Sequence, residues 1–491
     1  MLSSHRFSLT PRLVLVLAAA LSVICSTAAV RADPLEIRVD ANRRHQTVQG
    51  FGASIMAWRT SMYRFYYDEA FVDYAANTLG QSIFRLQMWG GVLPKEVPDW
   101  RDISYRNFDW TTDGIRGKVN TDFARDLHAA NPEVRIVGSV WSAPAWMKEN
   151  NSRTGTRSGY LLNPDRTYDD DNRLREDRYQ HFAKYVVEWA RLMEAQGTSF
   201  YAISLQNELV FTQWFESTIY TAEEYARVVK VTGEMFESEG VRKPLFFGPE
   251  DMSRVNYDDE VRHRPYVDAL MAPEVARFFD VFATHGYSDG VRGDGSEPPV
   301  AYARSIAQFN RPYWITEGGS GPHTWPAALR SGVGIALHVA LARANVSLFC
   351  GWQLASEPGK ASEHDFMDGA TPTEKTYTAM HYWRHIRPGA VRVETAESPA
   401  EDIYVTAFVH DERGEAVNVL INTADTPREV KVDWAGVAAG AWQTYQTTAG
   451  QNHEPVTDFS VDGQGRATLT LPGPSITTLV APLRTAAAGQ R

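Results

Sequence analysis

Cysteine is nearly missing from this sequence, with two residues in 491, Cys25 and Cys350. The first lies in an N-terminal apolar stretch and the second stands alone in an apolar run. The mature chain therefore closes no internal disulfide, and its stability must come from a buried core. Neither an HExxH motif nor a CxxC pair occurs, so no metal or other cofactor is expected. Beyond residue 25 no apolar run approaches the ~20 residues that a membrane-spanning helix needs. Positive charge is also short, with 49 Lys and Arg against 60 Asp and Glu and a formal charge of −11. That balance argues against nucleic acid or an anionic membrane as partner. No internal repeat and no low-complexity linker is found.

The N-terminal stretch reads as an address. Arg6 and Arg12 precede the apolar run LVLVLAAALSVIC, and small residues follow, with Val30 and Ala32 at the −3 and −1 positions of a cleavage point. Residues 1–32 are thus expected to be a signal peptide and the protein to be secreted or periplasmic. Removing them takes away three arginines and no acid, leaving a formal charge of −14.

Two later stretches share one shape. FYAISLQNE (Phe200 to Glu208) and PYWITEGG (Pro312 to Gly319) are apolar runs fit for buried parallel strands, and each ends abruptly in a glutamate. Six further runs resemble them: VQGFGASIM, SIFRLQMW, VRIVGSVW, LFFGPED, FDVFATHGY and SLFCGWQLA. Helical stripes lie between most of them, which predicts an α/β fold, a (β/α)8 barrel. One such stripe, Tyr225, Val228, Val229, Thr232 and Phe236, opens on a Thr221–Glu224 capping box and stops at Gly240. Glu208 and Glu317 stand 109 residues apart, three βα units of about 36 residues, hence at the ends of the fourth and seventh strands. Past Pro388 the pattern becomes short alternating strands, as in a β-sandwich side domain, to which the isolated strand near 35–48 is expected to belong. The expected domains are a signal peptide at 1–32, an N-terminal strand at 33–49, the barrel at 50–387 and the sandwich at 388–491.

Two strand-end glutamates are what cleavage of a glycosidic bond requires. Glu208 is the candidate acid and base, with a pKa raised by apolar walls, and Glu317 the candidate ionised nucleophile. Asn207 beside the acid suits a sugar hydroxyl. Arg85, inside the second strand, needs a carboxylate partner and would keep the nucleophile charged. His285 and Tyr287 end the sixth strand and can donate towards Glu317 or substrate. Trp141 and Trp352 sit at strand ends where sugar rings stack on indoles, whereas Trp89 and Trp146 read as core. Glu250, Asp251, Glu357, Glu363 and Asp365 read as subsite or loop-capping acids. Polar loops at 148–177, 288–299 and 356–371 occupy the same face, the first rich in Arg and Asp.

With these residues in view the chain resembles glycoside hydrolase family 30. QTVQGFGAS, SVWSAPAWMK, ISLQNE and HYWRHIRPGAVRV carry the likeness. It implies a barrel with a side β-domain built from both chain ends, a retaining mechanism with Glu208 as acid/base and Glu317 as nucleophile, and no metal. It also implies that Asn207, Trp141 and Tyr287 line the −1 site. Leu209 departs from the proline that many members carry there. The expected activity is that of a secreted retaining hydrolase, a monomer cutting a β-linked polysaccharide internally: xylan, β-1,6-glucan or β-1,6-galactan. Exo-acting β-glycosidase or glucosylceramidase activity is the alternative within the class, and a non-catalytic carbohydrate-binding protein the alternative outside it.

Overall fold

A computed structural model of the chain describes residues 33–155, 159–160, 171–252, 260–287, 297–434, 437–438 and 442–484. The expected signal segment 1–32, the loop residues Arg157, Asp165, Arg166, Asp169 and Asp170, most of the 288–299 loop and the terminal TAAAGQR lie outside them.

The eight apolar runs form eight parallel strands closed into one ring. In chain order these are Gly50–Ser54, Ile83–Met88, Arg135–Val140, Phe200–Ser204, Leu245–Met252, Val281–Gly286, Tyr313–Gly318 and Leu348–Ser356, and the eighth pairs with both the first and the seventh. Alternation along each strand sorts the side chains. Ile83, Val137, Ala202, Phe247, Trp314 and Cys350 fill the ring from within. Phe84, Leu86, Ile203, Phe282 and Ile315 face outward into the core beneath the helices. Burial pushes the Cys350 thiol up to about 12, which suits a packing group and not a nucleophile.

The helices obey their punctuation. Thr221 accepts from the Glu224 amide and Glu224 returns a bond to the Thr221 amide, so Ala222–Ser238 starts on a complete capping box. Gly240, at φ +62°, ends it in the left-handed region.

The C-terminal strands make one curled ten-stranded sheet, into which the N-terminal strand Leu35–Thr47 is inserted. It runs antiparallel to Val391–Thr395 and parallel to Arg428–Trp434, so both chain ends build this region. Here too the period of two decides the packing: Val405, Ala407 and Val409 enter the sheet's own core, while Phe408 and, on the next strand, Val417, Val419 and Ile421 pack with the barrel. Among the described residues no helix is long and apolar enough to cross a membrane.

Candidate active site

Strand geometry decides which side chains reach the barrel mouth. Arg85 and His285 each stand two residues beyond an interior residue, Ile83 and Ala283, so alternation points both up the inside of the ring. Glu317 needs a different device, because Trp314 faces in and Ile315 out, and strict alternation would turn Glu317 outward. The register of the seventh strand slips past Ile315 against both neighbours, and this bulge turns the carboxyl to the mouth. The fourth strand ends at Ser204, earlier than the sequence suggests. Asn207 and Glu208 lie beyond it, with Glu208 at φ +48° and its amide donating to the Glu250 carbonyl at 2.9 Å. A non-glycine residue in that region stores strain, which the surrounding bonds must hold.

The side chains meet in one buried cluster. Arg85, with no exposed surface, donates from Nε (3.1 Å) and Nη2 (3.0 Å) to Glu250 Oε1, from Nη1 to Glu317 Oε2 (2.9 Å), and from Nη2 to Asn207 Oδ1 (2.7 Å). Because a guanidinium only donates, Asn207 keeps its NH2 for a ligand. His285 Nδ1 meets Glu208 Oε1 at 3.1 Å, and its Nε2 faces Glu317 and Glu250 at 3.7 and 3.8 Å. Gln213 Nε2 donates to the other Glu208 oxygen at 3.2 Å, and the Tyr287 hydroxyl donates to Glu317 Oε1. One oxygen of Glu208, one oxygen of Glu317 and a ring nitrogen of His285 all lie within 4.8 Å of one another. These are also the donor atoms that could converge on a metal, but the Arg85 guanidinium bonded to Glu317 opposes a second cation there.

Burial and charge oppose each other across the cluster. Burial alone would lower the pKa of Arg85 and His285, but the carboxylates outweigh it, so Arg85 is held charged and His285 rises to about 10. Burial would raise Glu250, yet Arg85 and His285 hold it at about 2. Glu317 departs from the ionised group expected of it: burial pushes it up to about 7, against the pull of His285 and Arg85 and with the help of Glu208 and Glu250. Glu317 is thus disposed to hold a proton up to about pH 7. Charge counting agrees, since three carboxyls against two cations become neutral with one proton.

Around the cluster runs a cleft of two joined cavities. The smaller, about 410 Å³, is lined by Asn207, Glu208, Glu317, Tyr287, Gln213, Phe211 and His364. The larger, about 560 Å³, is walled by Trp58, Trp89, Gln87, Arg59, Arg116 and Glu216, and the two share Trp141, Trp352 and Phe215. Trp352 lies between Trp58 (5.8 Å, stacked) and Trp141 (5.7 Å), and Trp141 lies over Arg85 at 4.4 Å.

All eight site residues read from the sequence, namely Glu208, Glu317, Asn207, Trp141, Tyr287, Arg85, His285 and Trp352, come together here. His285 makes its short contact with Glu208 and stands farther from Glu317. Trp146 is core, its indole donating to the Leu93 carbonyl, but Trp89, expected to be core as well, lines the larger cavity under Arg116. Glu250 is no subsite acid; it anchors Arg85. Its strand-end position gave a signal, whereas Gln213, Trp58 and Phe215 lie in loops without one. Glu357 accepts from Ser61, and Asp365 caps Ser362.

Residues 96–238 match the "Glycosyl hydrolase family 30 TIM-barrel domain" and residues 389–479 the "Glycosyl hydrolase family 30 beta sandwich domain". The chain is 24% identical over 457 residues to glucuronoxylanase XynC of Bacillus subtilis, covering 91% of this chain and 92% of that protein. It is 29% identical over 195 residues to endo-1,6-beta-D-glucanase BGN16.3 of Trichoderma harzianum, covering 36% and 37%. In three dimensions it is similar to the family 30 subfamily 8 xylanase Xyn30A of Clostridium acetobutylicum, with a TM-score of 0.70 at 20% identity over 91% of this chain and 99% of that one.

Proposed function

Because the chain belongs to glycoside hydrolase family 30 and is a glycoside hydrolase, we propose that it cleaves a β-linked polysaccharide by double displacement with retention of configuration. The observation that carries this reading is the approach of Glu208 and Glu317 oxygens to within 4.8 Å. Retaining pairs stand ~5 to 5.5 Å apart, whereas inverting pairs leave ~6.5 to 9.5 Å for a water.

Glu317, which accepts from Arg85 and Tyr287, donors that support its anion, is the nucleophile, and Glu208, beside Asn207, is the acid and base. Glu317 attacks the anomeric carbon while Glu208 gives its proton to the departing glycosidic oxygen. Glu208, now ionised, takes a proton from water; the hydroxide so generated attacks the same carbon and releases Glu317. The Asn207 NH2 is positioned to hold the sugar 2-hydroxyl, and Trp141 and Trp352 to stack on sugar faces. His285, as imidazolium, orients Glu208 and supports the charge it acquires.

Xylan and β-1,6-glucan are the substrates acted on by the relatives' named activities, and internal cleavage of such a polymer is the proposal. Arg59 and Arg116 in the larger cavity favour a polymer bearing acidic groups. Arg116 meets no carboxylate among the described residues, and Arg59 only Glu357 at 3.9 Å. Export on residues 1–32 is part of the proposal and rests on the two arginines ahead of the apolar run. A product profile on glucuronoxylan, β-1,6-glucan, β-1,6-galactan and aryl β-glycosides tests the reading. Oligosaccharide ladders from one polymer support it; no hydrolysis of any of the four would turn the protein into a binder.

A further inference from the structure

Among the described residues only three large hydrophobic side chains are exposed: Tyr67, Trp214 and Phe215. Tyr67 is tied to Asp122 through its hydroxyl. The other two are neighbours on the loop after Glu208, Trp214 at 67% exposure and Phe215 at 55%, and neither ring makes an aromatic or cation–π contact among the described residues. Leaving two large aromatic faces in water wins nothing for the fold, so an adjacent exposed pair marks a surface kept for a ligand.

The loop that carries them is held firmly. The Gln213 amide donates to Ser217 Oγ at 3.0 Å, and the Gln213 carbonyl accepts from the Gly155 amide at 2.7 Å. The buried Lys148 reaches the Ser217 carbonyl at 2.6 Å, and Asn172 Nδ2 reaches Thr212 Oγ1 and Ser217 Oγ, both at 2.9 Å. The backbone on either side of the two aromatics is therefore anchored. The patch is also continuous with the cleft, because Phe215 lines both of its cavities.

We propose that Trp214 and Phe215 form an outer sugar-binding platform that extends the cleft, Trp214 stacking on a unit of the polysaccharide beyond those enclosed near Glu208 and Glu317. This rests on the hydrolase reading above and adds which part of a long substrate the protein holds. The occupant follows from the chemistry already present: a chain threaded past Trp141 and Trp352 leaves along Phe215, and pyranose rings offer apolar C–H faces that match an indole. An aromatic that recognises a ring face and no particular hydroxyl binds the polymer with little regard to its decoration.

The test compares Trp214→Ala and Trp214→Phe with the parent on glucuronoxylan, on β-1,6-glucan and on an aryl β-glycoside too short to reach the loop. The expected result is a loss of kcat/KM, mainly through KM, that is about three- to tenfold larger on the hydrolysed polymer than on the aryl glycoside, with Trp214→Phe recovering most of it. Equal losses on long and short substrates would overturn the platform. Affinity electrophoresis through gels containing the same two polymers reads binding without turnover. Retardation of the parent that is weakened in Trp214→Ala supports the platform even if no hydrolysis is seen, which would sink only the hydrolase reading. Equal retardation, none at all, or a change confined to oligomeric state on a sizing column would overturn it.

Discussion

Glu250 offers the sharpest test of how the cluster sets its proton. It is fully buried, accepts two bonds from Arg85, and repels the charge on Glu317. Glu250→Gln keeps the shape and removes the charge, leaving two cations against two carboxyls, a count that is neutral with no added proton. Two like charges bridged by one guanidinium repel by on the order of 2 kcal/mol at an effective dielectric of about 20. Glu250 acts on Glu317 less than Glu208 does, so a fall of about one pH unit in the Glu317 value is expected. The parent value is about 7, and only the ionised Glu317 can attack, so kcat/KM on an aryl β-glycoside should rise as pH passes up through about 7. In the variant that rise should come about one unit lower, and activity at pH 6 should gain several-fold over the parent with the alkaline limb little changed. Thermal melting at both pH values separates this from unfolding. An acidic limb that stays put or moves upward would refute the charge count.

Other consequences follow from the same contacts. Glu317→Gln should lower kcat by about 10⁴ or more, whereas Glu208→Ala should spare substrates with a good leaving group and be partly rescued by azide; stopped assays on two aryl glycosides differing in leaving group check both. Where helix Glu374–Trp383 meets the C-terminal sheet, His381 is buried between Thr478 and Thr447, and His385 shares an Nε2 to Nε2 bond with His453 at 2.9 Å. Burial, with Arg384 nearby, holds His453 down at about 4. Its stabilising effect is therefore complete above the unfolded value near 6.5 and is lost as pH falls from there towards 4, by about 3 kcal/mol for this one residue. Melting temperature against pH should show that loss, and His453→Gln should flatten the curve. Gly52→Ala would set a Cβ 1.6 Å from the Ile83 carbonyl oxygen, so the first two barrel strands must part and the melting temperature should fall by at least about 5 °C.

Much of this was legible in the sequence, for a physical reason. A strand buried on both faces is a plain apolar run, and where such a run stops in Gln206, Asn207 and Glu208, or in Thr316 and Glu317, the polarity change marks the rim of the ring. The two glutamates and the eight strands follow from that alone, and alternation places Arg85 and His285 inside. The bulge that turns Glu317 inward leaves no such trace, since alternation read through Trp314 and Ile315 gives the opposite face. The role of Glu250 was hidden because it depends on Arg85, 165 residues away in sequence. Burial of Glu317 between two other carboxyls, which moves the raised pKa to a place the sequence did not suggest, is likewise a property of the assembled cluster. Trp58, Gln213 and Phe215 reach the cleft from loops, whose paths no periodicity records.

Glu208 and Glu317, as proposed, work as a close-set acid and nucleophile. Proton NMR of the first sugar anomer released, recorded before mutarotation, reads it directly. The β-anomer is expected at the earliest times, decaying to the equilibrium mixture; the α-anomer appearing first would mean single displacement by water and would contradict the proposed pair.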